Sequence, residues 1–84
     1  MNSRIRIIKG HYREEGGSLT PGSLTVIDMP GQGLCSENGG EVRARRYQVA
    51  GEIEGLELYG PDIAFDFLPN EGECERVGIP VDTQ

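Results

Sequence analysis

Arg4-Ile5-Arg6-Ile7-Ile8-Lys9 sets cations against branched apolar residues in alternation, the two-residue period of a half-buried strand. Gly10 and then Gly16-Gly17 read as its breaks. The stretch Ser23-Leu24-Thr25-Val26-Ile27-Asp28-Met29 repeats the β pattern, opened by Pro21-Gly22 and closed by Pro30-Gly31, both turn dipeptides. Nowhere do apolar residues recur at i, i+3, i+4 and i+7 over a helix-length window, so any helix is expected to be short.

The rest of the chain continues in this style. Residues 42–49 and 52–59 read as a third and fourth strand, the latter kinked at Gly55. After the Gly60-Pro61 turn, residues 63–68 read as a fifth strand with Ile63, Phe65 and Phe67 on one face. Residues 31–41 read as a polar, Gly-rich loop with an Asn38-Gly39-Gly40 turn signal. Residues 70–84 read as an acidic, loosely held tail in which Val77, Ile79 and Val81 hint at an edge strand. The expected fold is all-β: one small domain over residues 1–84, a five- to six-stranded antiparallel barrel or rolled sheet, since closure removes exposed edges.

Eighty-four residues allow only a modest apolar core, which makes tight turns or contact with a second copy its natural supplements. Met1 is followed by polar residues, and no apolar run reaches the roughly 18 residues that span a membrane. The expectation is therefore a soluble, cytoplasmic protein in which Cys35 and Cys74 are free thiols.

Charge is distributed unevenly. Residues 1–50 carry seven Arg or Lys against five acids, and residues 51–84 carry Arg76 alone against nine. Such a field speaks of partners, not of fold. By period two, Glu52 and Glu54 share one strand face, and Asp62 and Asp66 share another. Carboxylates about 7 Å apart along a stiff strand approach the charge density of a nucleic-acid backbone. The expected partner surface is Glu52, Glu54, Glu57, Asp62 and Asp66, extended by Glu71, Glu73 and Glu75, with Tyr59 as aromatic anchor. It would occupy the basic groove of a nucleic-acid-handling enzyme.

The cations Arg4, Arg6, Lys9, Arg13, Arg43, Arg45 and Arg46 fall in two expected strands. If these pair, a basic ridge forms beside Tyr12 and Tyr47 and could grip phosphates or stack bases. Alternatively, Arg43, Arg45 and Arg46 would meet the phosphates of a small nucleotide. No catalytic residue is assigned: His11 and Cys35 lack spacing that implies a pair. His11, Cys35 and Cys74 lack the paired spacing of a zinc site, and no cofactor motif is present.

Ile7, Ile8, Gly10, Arg13, Gly17 and Leu19 resemble the KOW motif of small SH3-like barrels, although Glu14 stands where a second Gly is usual. The resemblance implies a five-stranded barrel docking on RNA or on a protein of an RNA-handling machine through loop residues Lys9, His11, Tyr12 and Arg13. In size, acidity and missing catalytic signature the chain also resembles phage-encoded inhibitors of bacterial defence nucleases, such as anti-CRISPR proteins, which act in the host cytoplasm. The leading functional expectation is thus a non-enzymatic inhibitor or adaptor. The rivals are a KOW-like RNA-binding module and a nucleotide sponge.

Overall fold

In the computed structural model, which describes residues 3–64 and 66–83, strands β1 (Arg4–Arg13) and β2 (Leu19–Met29) form a long antiparallel hairpin. β3 (Gly33–Cys35) pairs with the end of β2, and β4 (Arg43–Val49) with β5 (Glu52–Tyr59) makes a second hairpin. β6 (Phe67–Pro69) lies between β1 and β5, giving the order β3-β2-β1-β6-β5-β4. The sheet nearly closes on itself, because Val42 N–H donates to Leu34 O (2.9 Å) and Cys35 bridges Glu41. The result is a six-stranded antiparallel, nearly closed barrel.

The alternating Ile5 and Ile7 of β1 face outward, and Ile8, where the alternation breaks, enters the interior. Ile8, Val26, Val42, Leu58 and Phe67 are fully buried, each contributing about 1.5–3 kcal/mol. Tyr12 meets Phe67 edge-on with ring centroids 5.1 Å apart. Gly10 does not break β1. It continues the strand, paired with Gly22 and Pro69, and its missing side chain admits β6, since a Cβ there would lie 2.8 Å from Pro69 Cα and 2.9 Å from the Phe67 ring. β3 covers only Ile27–Met29 of β2, so Pro21 sits within β2 at an open edge, where proline is tolerated.

Four further expectations change. The loop over residues 31–41 holds β3. The fifth strand shortens to Phe67–Pro69, and Phe65 lies outside the described residues. The expected edge strand near Val77 is instead helix α1 (Glu73–Val77), flanked by Gly72 and Gly78 in left-handed conformation. The carboxy-terminal stretch is held, not loose: Cys74, Val77 and Ile79 are buried against the core. Ala44 then donates to Pro80 O (2.9 Å) and accepts from Asp82 N–H (2.8 Å).

Candidate functional site

β6 stops at Pro69, and Asn70 N–H donates to Lys9 O (2.9 Å) before the chain turns into α1. Beyond that point β1 finds its partners in side chains of the helix. Lys9 N–H donates to Glu73 Oε1 (2.8 Å), and Arg76 donates to Ile7 O. Glu73 also accepts from Arg76 Nη2 and Nε at 2.9 and 3.0 Å. The Arg76 hydrogen bonds, then that from Lys9 N–H, hold the Glu73 carboxyl down at about 2. α1 is thereby fixed to β1 on one side.

On its other side α1 faces β5 across a groove of about 330 Å³. Leu56, Pro69 and buried Cys74 form its less exposed base, and the exposed Glu54, Glu71 and Glu75 line it. Burial, then the charges of Glu73 and Glu75, push the Cys74 thiol up. Glu54 owes its place to a bulge. Val49 pairs with Glu52 and Gln48 with Ile53, but Tyr47 pairs with Gly55, leaving Glu54 as the extra residue. Gly55, at φ 145°, takes a backbone conformation that L side chains rarely adopt.

The same slip fixes Glu57 opposite Arg45, which it holds at 2.8 Å. Glu57 is therefore not part of a free array. Neither is Asp62, whose Oδ2 accepts from Ser36 Oγ (2.9 Å) and Gly40 N–H (2.7 Å). Asp66 is exposed at the other end of β6, where its carbonyl accepts from Arg13 N–H (3.0 Å). Tyr59 donates to Asp82, which Arg43 also grips at 2.6 Å. The Tyr59 and Arg43 hydrogen bonds lower the Asp82 carboxyl, and Asp82 raises the Tyr59 hydroxyl. Of the expected acidic set, Glu52, Glu54, Glu71 and Glu75 are exposed away from these contacts, and the fold gathers Glu54, Glu71 and Glu75 at one groove. None of these four lies within an ion pair among the described residues, whereas Arg43, Arg45 and Arg76 are each tied to other carboxylates.

The two basic strands do not pair, because β6 and β5 separate β1 from β4. Lys9, His11, Tyr12 and Arg13 lie within β1 instead of in a loop. Tyr12 donates to Ser23 O, while Arg13 reaches Tyr47, its guanidinium 4.4 Å from the ring centroid. Arg45 likewise covers Tyr59 at 4.5 Å, and with Arg46 and Gln48 it lines a second hollow of about 470 Å³. His11 pairs with Pro21 and Cys35 with Ile27, six residues along β2, so roughly 20 Å separates them. Cys35 is buried, and among the described residues no three His, Cys, Asp or Glu side chains could hold a metal.

Sequence periodicity could not group Glu54 with Glu75, since α1 spans five residues, too few to show a helical period. The flanking Gly72 and Gly78 were the available signal. Comparisons with protein family models, curated proteins and solved structures give no match to this chain.

Proposed function

We propose that the protein is a non-enzymatic inhibitor or adaptor that holds the basic surface of a nucleic-acid-handling protein at the groove of Glu54, Glu71 and Glu75, with Glu52 beside it. One observation carries the reading: Glu54, Glu71 and Glu75 converge on one groove outside the ion pairs of the described residues, while Arg43, Arg45 and Arg76 are bound to other carboxylates. The backbone of the three glutamates is fixed by a β bulge, a turn and α1, so binding has to order only the side chains. Opposite charge would make association fast and sensitive to salt.

The test uses tagged protein to capture partners from the heparin-retained fraction of a bacterial lysate. The Glu71→Lys/Glu75→Lys variant should lose a captured protein that the Glu15→Lys/Glu37→Lys variant, with the same net charge, keeps. Duplex DNA should displace it. Equal capture by both variants, or capture indifferent to DNA, overturns the reading.

A second reading, RNA binding, is favoured by Arg13 and Arg45, whose guanidiniums lie 4.4 and 4.5 Å from the ring centroids of Tyr47 and Tyr59. Arginine and tyrosine side by side are the groups on which unpaired bases stack. Gel shift of a single-stranded RNA at moderate salt, lost in Arg13→Ala/Arg45→Ala, would select this reading over the first.

A further inference from the structure

The acidic groove has a counterpart of opposite sign across α1. There a depression of about 530 Å³ is lined by Ile5, Arg6, Ile7, Lys9, Glu73 and Arg76. Ile5 is 70 % and Ile7 50 % exposed, on the strand face that also carries Lys9. Adjacent branched apolar side chains left open in this way mark a contact surface. Glu73 and Arg76 neutralise one another, so Arg6 and Lys9 set its sign. The acidic groove repeats the plan with the sign reversed: Leu56 and the exposed Val81 supply apolar area, and Glu54, Glu71 and Glu75 supply charge.

We infer that a second copy of this chain covers both surfaces, in a twofold dimer whose axis passes beside α1. A helix is about 10–12 Å across with its side chains, so the two surfaces flanking α1 are near neighbours. Rotation about an axis beside α1 sets the basic depression of each protomer on the acidic groove of the other. Both contacts then form at once, and the assembly closes at two copies. Charge fixes the register, and burial of Ile5, Ile7, Leu56 and Val81 supplies affinity. A second copy fits better than an unrelated occupant because one chain carries both complementary surfaces side by side. The dimer occupies the groove offered to a basic partner, so dimerisation and capture compete; that consequence alone rests on the proposed function.

Sedimentation equilibrium tests the dimer without any partner. The wild-type chain should sediment as a dimer at concentrations up to about 1 mM in about 0.05 M salt, and dissociate in about 0.5 M salt as screening shortens the reach of charge. Lys9→Glu alone sets acid against acid, and Glu75→Lys alone sets base against base, so each should sediment as a monomer with native circular dichroism. Mixed one to one, the two variants present opposite charges at both contacts and should form a heterodimer. A wild-type monomer throughout the low-salt series overturns the inference. So do single variants that dimerise like wild type, or a mixture that associates no better than its components. Equal capture by the wild-type chain and the Glu71→Lys/Glu75→Lys variant, with the dimer forming as described, would count against the proposed function and leave the dimer standing.

Discussion

Replacing Gly10 by alanine should damage this fold far more than its place in a strand suggests. The new Cβ would stand 2.8 Å from Pro69 Cα and 2.9 Å from the Phe67 ring, and closer still to Leu68 O. Carbon atoms rest about 3.5–4.0 Å apart, so β6 would have to retreat by roughly 1 Å. Little slack exists for that. Two of the struck groups are backbone, and Phe67 is fully buried against Tyr12. Overpacking costs typically about 1–3 kcal/mol, and a collision with backbone belongs at the upper end. A loss of about 3 kcal/mol lowers Tm by roughly 12–24 °C in a chain of this size.

Gly16 supplies the control. Its φ is 92° and nothing lies within 4 Å of a Cβ there, so Gly16→Ala meets only left-handed backbone strain, about 1 kcal/mol. Thermal unfolding followed by circular dichroism should therefore rank wild type above Gly16→Ala and both well above Gly10→Ala. If Gly10→Ala melted no lower than Gly16→Ala, the close approach of β1 and β6 would be wrong. The placement of α1 that depends on it would fall with it.

Two further outcomes follow from the same contacts. Glu73 titrates at about 2 in the folded chain against an ordinary 4.5, so its stabilising effect is complete above 4.5 and is lost as pH falls from there towards 2. Asp82, also lowered, adds to the loss in acid. The urea midpoint of wild type should fall across that range, and the Glu73→Gln variant should show a flatter profile. Asp62→Ala removes the acceptor of Ser36 Oγ and Gly40 N–H, costing about 1.5 kcal/mol, or roughly 6–12 °C in Tm, while leaving capture by the acidic groove intact in the assay above.

The strands that could be read in the sequence are those long enough to show a period. Arg4 to Ile7 alternates over four residues, as do residues 42–45, and residues 52–59 alternate on either side of Gly55. β3 and β6 have three residues each, and three residues show no period. Their place is set by the tertiary fold: Leu34 and Cys35 pair beside Ile27, and Phe67 fills the barrel beneath Gly10. α1 was hidden for a related reason, since Cys74 and Val77 are its only buried pair and an alternating reading of Val77, Ile79 and Val81 looked equally good.

The candidate site was half legible, and one residue explains the division. Were the β4–β5 hairpin regular from its Ala50-Gly51 turn, Arg45 would face Leu56, and Glu57 would lie opposite Ala44. The extra residue Glu54 shifts every pair beyond it, so Arg45 meets Glu57 and Ala44 meets Leu58. This puts Leu58 into the core and an acid beside a cation, which satisfies both burial and charge. The cost of that register is one unpaired position, and the side chain left over there is a glutamate facing the groove of α1. Strict alternation groups Glu52 with Glu54, and the expected array added Glu57 to them. The bulge instead pairs Glu57 with Arg45 and delivers Glu54 to Glu71 and Glu75, so the acidic surface is a product of the strand register that builds the core.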